Sequence, residues 1–343
     1  MRKGLVFGIL LVLATWALSL VCMRAAGQAI SESGESGRES VKEESESRGE
    51  EEKTAEETTM EAAAAPASAR KIRIERDGVK TFMELEDYLA GVMVCQIDAD
   101  CHMEALKCQA VIARTYIYRS MDGRSEISEE ELDLDYLGAE SGASGGVSGM
   151  TLDEKERLAL RLERCLEAAR ETSGVVMKYE GRLILPMFHA VSAGRTRKGE
   201  ADYPYLAPVE SKWDTQREDY MQEFSWSRAE FARLISGIPD AAPVSPDQVP
   251  DEIQTVKKDD SGYVLQIKIG AKTYSGEEVQ YALSLPSACF FIEGEGDEIR
   301  AVSRGIGHGY GLSQAGADAM AAEGWGYQDI LQYYYKEICF ITE

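Results

Sequence analysis

From residue 71 the chain alternates between apolar and polar positions with period two. Lys71-Ile72-Arg73-Ile74-Glu75 sets isoleucines against charges, and Val79 to Glu84 follows across Asp77-Gly78, a pair that favours a tight hairpin turn. The period then changes. Leu85 to Val94 reads as a short apolar-rich helix. Met103, Leu106, Ala110, Ala113 and Ile117 recur at helical spacing with Glu104, Lys107 and Arg114 off the stripe, which predicts a second helix reaching Arg119. The polar turn Gln96-Ile97-Asp98-Ala99-Asp100 joins the two, a place where a loop holds polar side chains at the mouth of a groove.

Further on, residues 120–150 are acidic and Gly/Ser-rich and read as a surface insertion. Thr151 to Thr172 is a charged amphipathic helix whose stripe is Leu158, Leu162, Cys165, Leu166 and Ala169, ended at Gly174. VVMKYE and RLILPMFHAVS read as two strands turning at Gly181, and Arg228 to Ile235 as a short helix. A Pro-rich loop from Pro239 to Pro250 precedes YVLQIKIG, which again alternates. Ser313 is a natural N-cap for a helix over Gln314–Ala322, with Gly324 after it. Helices interleaved with hairpin-type strands predict an α+β domain over 71–343, with mixed helices and antiparallel strands forming a groove.

Upstream the periodicity disappears. Arg2 and Lys3 precede a nearly uncharged run from Leu5 to Met23, about long enough to cross a bilayer. Residues 1–29 are therefore expected to be a signal-anchor, with a cleaved signal peptide as the competing reading. Residues 30–70 are an acidic linker, with only Val41 and Met60 as larger apolar residues, too few to offset the entropy of ordering it. This organisation implies a single-pass protein of the cell membrane with its C-terminal domain outside the cytoplasm. The net charge of −23 argues against nucleic acid or an anionic membrane surface as electrostatic partners, although the linker holds much of it. Cys95, Cys101, His102 and Cys108 fit no standard zinc spacing, so no metal or cofactor is expected and the cysteines read as small buried apolar residues.

Two motifs carry chemistry. GVMVCQ…MEALKCQAVIARTY and GIGHGYGLSQAGA resemble the signatures of the stage II sporulation protein D family (SpoIID/LytB), bacterial cell-wall proteins that include lytic transglycosylases. FHAVSAGRT is similar to a third family segment, matching at His189, Ser192, Gly194 and Thr196 and departing at Ala190 and Ala193. Tyr205 to Val209 followed by Trp213-Asp214 resembles a fourth, and Gln280 stands where the family has arginine. The ungapped alignment sets Gln96 on the family's catalytic glutamate. That glutamate is understood to protonate the glycosidic oxygen and then to take the proton of the muramic acid C6 hydroxyl, leaving an anhydro sugar. Glutamine has the shape but no acidic proton, so the resemblance implies transglycosylase activity weakened or lost here.

Asp98 and Asp100 are the nearest substitutes for the acid. Glu104, Lys107, Arg114 and Tyr116 on the second helix, and His189, Ser192, Thr196, His308, Ser313 and Gln314 in the other motifs, are substrate-binding candidates by resemblance. For Lys107 and Arg114 a solvated face or pairing with nearby carboxylates is the alternative, and for Glu104 an i,i+3 contact with Lys107. Tyr203, Tyr205 and Trp213 either stack on sugars or fill core. Two functions follow. One is a peptidoglycan-cleaving enzyme of the sporulation type; the other is a binder of glycan strands that recruits or enhances a cell-wall amidase.

Overall fold

The computed structural model describes residues 70–76, 78–137 and 149–343. The expected signal-anchor, nearly all of the linker, and residues 138–148 lie outside the described residues. Among the described residues no helix is long and apolar enough to cross a membrane.

Strands β1 (Lys71–Arg76) and β2 (Val79–Glu84) form the predicted hairpin, in register from Lys71↔Glu84 to Arg76↔Val79. Helices α1 (Leu85–Gln96) and α2 (Met103–Met121) follow. Helix α1 runs two residues past its predicted end, so Gln96 closes a helix and is not part of the turn. Ile97 and Ala99 in that turn are themselves buried.

The expected surface insertion is corrected over its first half. After α2, β3 (Glu126–Ser128) pairs parallel with β1, and α3 (Glu129–Leu132) brings Leu132 into the core beside Ile127. Tyr136 then stacks on Tyr88 of α1 with ring centroids 4.9 Å apart. The few large apolar residues of this acidic stretch are enough to anchor it.

Helix α4 (Leu152–Glu171) starts at a capping box between Thr151 and Glu154 and packs along α1 and α2. Strands β4 (Val175–Tyr179), β5 (Arg182–Leu183) and β6 (Phe188–His189) come next. The single long strand expected over 182–192 is broken: Pro186 cannot donate to a ladder, and β5 and β6 join different sheets.

Strand β7 (Met221–Ser227) leads through the Ser227 cap into α5 (Arg228–Ser236). Strands β8 (Ile253–Lys258), β9 (Val264–Ile269) and β10 (Lys272–Tyr274) form an antiparallel sheet, beside which α6 (Gly276–Ala282) packs. Strand β11 (Phe290–Glu295) pairs with β12 (Glu298–Arg304), and β12 with β7. Last come β13 (Leu312–Ser313), parallel to β6, helices α7 (Gln314–Ala322) and α8 (Tyr327–Tyr334), and β14 (Cys339–Thr342), antiparallel to β4. The architecture is α+β, with mainly antiparallel sheets, as predicted.

Helix α2 is the centre. Leu106, Ala110, Ala113 and Ile117 face a core shared with α1, α4 and the first hairpin, while Ala105, Cys108, Val111 and Ile112 face a second core shared with α7 and α8. Each large buried aliphatic contributes about 1.5–3 kcal/mol, against a few tenths for an exposed ion pair, so packing sets this helix in place. The predicted stripe captures only one of its two buried faces. A third core is formed by β7, β9, β11, β12, α5 and α6. The six described cysteines are all free thiols; Cys108, Cys165 and Cys289 are buried as expected, whereas Cys339 is exposed.

Candidate functional site

Helices α1, α2 and α7 meet over three glutamines. Gln96 is 7% exposed and accepts at Oε1 from Gln109 Nε2 at 2.8 Å. Gln314, the first residue of α7, donates from Nε2 to the Gln96 carbonyl at 2.8 Å and to Gln109 Oε1 at 3.1 Å. Buried amides are costly to leave unpaired, and these pair with one another. None of the three carries a proton of useful acidity.

Asp98 and Asp100 are both solvent-exposed on the turn beyond Gln96, and Asp98 Oδ1 is occupied by the Asp100 backbone N–H at 3.1 Å. Neither belongs to the glutamine network. At the start of α2, His102 meets Asp318 of α7 twice, through its backbone N–H at 2.7 Å and through Nδ1 at 2.9 Å. Burial, reinforced by Asp318 and Asp98, pushes the Cys101 thiol up to about 12, so it stays protonated and is no nucleophile.

The charged candidates on α2 are used by the fold. Lys107 Nζ donates to Glu104 Oε1 at 2.6 Å and pairs with Glu171 Oε2 at 2.8 Å. Glu104 Oε2 accepts the Tyr327 N–H at 2.8 Å and so holds the first turn of α8. Arg114 is corrected from a groove residue to a core residue. It is fully buried, forks onto both oxygens of Glu86, and donates to the carbonyls of Ala169 at 2.8 Å and Val175 at 3.3 Å. Tyr116 donates its hydroxyl to the Leu132 carbonyl at 3.1 Å, tying down the segment after α2.

The remaining motifs do converge. Strands β6 and β13 set His189 opposite Ser313, and the His189 and His308 rings lie 5.8 Å apart. His189 Nδ1 faces the Tyr310 carbonyl at 3.1 Å and must carry the proton there. His308 Nδ1 accepts the Tyr310 N–H at 3.0 Å, while the same ring reaches the Phe188 backbone. The two imidazoles therefore hold opposite tautomers. His189 Nε2 is left as a buried acceptor with no partner among the described residues.

Asp214 stitches these loops together and had no role assigned from sequence. Buried completely, its carboxylate accepts the Ser192 N–H at 2.9 Å and the Ser313 hydroxyl at 2.9 Å. Burial raises its pKa, and the hydrogen bonds from Ser192 and Ser313 oppose that shift. Ser313 Oγ also accepts the Gly316 N–H at 3.2 Å as the cap of α7, and Thr196 Oγ1 accepts the Val209 N–H at 2.9 Å. Arg197, likewise missed, lies over the rings of Tyr263 and Tyr310 and donates to Asp259 at 2.6 Å and to the His308 carbonyl at 3.3 Å. Gln109 and Arg197 sit within or beside motifs, but nothing in their spacing announces which residues they touch.

Two predictions arise here. Burial pushes His189 down to about 4 and His308 to about 3, from an ordinary 6.5. The unfolded chain thus takes up these protons near pH 6.5 while the folded rings refuse them. Their contribution to stability is complete above that pH and is lost as pH falls toward the folded values. Thermal melting between pH 7.5 and 4.5 checks this: His308→Gln should flatten the decline shown by the wild type, and an unchanged slope would refute it. Separately, Gly311 has φ +70° and a Cβ there would strike the Met187 carbonyl, whereas Gly123, at φ +80°, has open space. Gly311→Ala is expected to cost at least about 2 kcal/mol in urea melts and Gly123→Ala no more than about 1–2 kcal/mol. Equal losses would show that the β6–β13 contact tolerates a methyl group.

The motif similarity extends to whole chains. Residues 76–179 match the family model described as "Stage II sporulation protein". The chain is 30% identical over 288 residues to stage II sporulation protein D of Bacillus subtilis (strain 168), covering 80% of this chain and 78% of that protein. It is 29% identical to the Bacillus amyloliquefaciens protein of the same name, covering 80% and 78%. A more distant likeness, 24% over 299 residues, is to the amidase enhancer of Bacillus subtilis (strain 168), covering 72% of this chain and 39% of that protein. The family model lies on the helices that carry Gln96, Gln109 and Arg114, and the 30% identity over 80% of the chain places it in the stage II sporulation protein D family.

Proposed function

We propose that this chain serves sporulation by gripping the glycan strands of peptidoglycan, with the lytic transglycosylase step of its family removed at Gln96. The observation that carries this reading is the glutamine network. The position of the family acid holds a carboxamide locked to Gln109, and the nearest carboxylates, Asp98 and Asp100, stand outside that network. A general acid must lie within hydrogen-bond reach of the atom it protonates, and misplacement by about 1 Å costs about a hundredfold. The loops that carry Ser192, Ser313, His189 and His308, by contrast, are tied to one another through Asp214 and the adjoining imidazoles.

An N-terminal signal-anchor over 1–29 and a linker over 30–70 would hold this domain outside the cytoplasmic membrane, within reach of the wall. The likeness to an amidase enhancer favours a second role beside binding, in which the bound protein recruits or stimulates a cell-wall amidase. The test uses the full chain with peptide-free glycan strands, its products weighed by mass spectrometry. Strand binding without anhydro-ended fragments is expected. Release of such fragments by the wild type would refute loss of the acid and point to Asp98 or Asp100; absence of binding would refute the reading altogether. A cell-wall amidase assayed with and without the protein tests the second role.

A further inference from the structure

Resting on that glycan-binding reading, we infer a binding platform for a carboxylate-bearing glycan strand, built from Trp213, Tyr333 and Trp325 and flanked by Lys212 and Lys336. Tyr333 is the middle ring, its centroid 6.1 Å from those of both tryptophans and its plane at 78° to each. The three rings come from separate segments: the turn that holds Asp214, helix α8, and the loop between α7 and α8. Two of the three are fixed at their polar edges. Trp213 Nε1 donates to Glu323 Oε1 at 2.7 Å, and the Tyr333 hydroxyl donates to the Glu210 carbonyl at 2.6 Å. Rings anchored by their edges keep their orientation without a ligand, so little ordering entropy is lost on binding.

Trp325 is exposed, unusual for the largest apolar side chain. Lysine ammoniums stand 5.1 Å from the centroids of Trp213 and Tyr333, and neither Lys212 nor Lys336 makes an ion pair among the described residues. In a chain of net charge −23, two unpaired lysines on an aromatic patch suit an anionic ligand. Of the acidic neighbours, Glu210 faces Arg195 at 3.6 Å, while Glu323 keeps its charge and is held at the Trp213 indole edge. Pyranose rings present apolar C–H faces to aromatic planes, and the muramic lactyl group supplies the carboxylate. Position supports the assignment. Gln314, at one end of α7, touches Gln96, while Glu323, nine residues on, holds Trp213. At 1.5 Å per residue the platform lies about 13 Å along the helix from the glutamine network, where the same strand would continue.

The test titrates the full chain with peptide-free strands of alternating N-acetylglucosamine and N-acetylmuramic acid, and with uncharged N-acetylglucosamine oligomers of matched length. Trp325→Ala should weaken binding of the muramyl strand about tenfold, and Trp325→Phe should restore much of it. Lys336→Gln should abolish the preference for the muramyl strand and lower the salt dependence of its binding. Wild-type affinity retained in Trp325→Ala would overturn the platform while leaving the glycan-binding reading standing. Equal binding of both oligomers by the wild type would overturn the carboxylate assignment. No binding by the wild type would instead bring down the reading on which the platform rests.

Discussion

On the glycan-binding reading, Gln96→Glu is expected to add cleavage to binding, with anhydro-ended fragments appearing at least about a hundredfold faster than any wild-type background. The substitution keeps size and shape, so α1 and its packing stay as they are. Gln109 Nε2 remains in place to donate to the new carboxylate, and Gln314 Nε2 still meets the backbone carbonyl of residue 96. A carboxyl group at a site only 7% exposed is pushed upward by burial and held back by that one donor. This balance is what a group needs in order to give a proton to a glycosidic oxygen and then recover one from a hydroxyl. The assay is product mass on peptide-free strands, with melting curves to show that the variant folds. A folded variant that binds strands and yields no anhydro ends would mean that more than the acid has been lost.

Arg114→Ala is expected to cost about 3–5 kcal/mol of stability, the largest loss from any single change among the residues matched to family motifs. Arg114 is completely buried and five contacts converge on it: two from Glu86 and one each from Ala169, Thr172 and Val175. Its removal takes from the Glu86 carboxylate its only cation among the described residues, leaving it Ser173 and Gly174 as donors, and takes a donor from the carbonyls of Ala169 and Val175 where α2, α4 and β4 meet. Arg114→Lys should recover only part of the loss, since an ammonium cannot reproduce the two-pronged contact. Urea unfolding gives the number. Strand affinity measured on the folded fraction separates structure from binding: it should match the wild type, and a fall in affinity without a fall in stability would return Arg114 to the groove.

Local patterns carried much of the fold. The alternation of Ile72 and Ile74 with charges produced the first hairpin, and the cap at Ser313 starts helix α7 as read. The departures share one cause. Tyr136 and Leu132 lie in a stretch whose composition says loop, yet two or three well-placed apolar side chains outweigh composition. Arg114 and Lys107 lie off the predicted stripe of α2, and periodicity assigns such charges to solvent. Helices α1 and α4 and strand β4 close over Arg114 and make it a buried partner of Glu86.

By itself, then, the sequence determined the secondary-structure periods, the Ser313 helix cap, the family motifs and a side chain without an acidic proton at residue 96, because each is a property of one side chain or of neighbours within a turn or two. Tertiary structure alone decided that Gln96 is locked by Gln109 and Gln314, that Asp214 joins Ser192 to Ser313, and that Trp213, Tyr333 and Trp325 share one surface. Those contacts join residues between 8 and 218 positions apart, and no local period encodes which partner a buried amide, carboxylate or ring will meet when two cores close on α2.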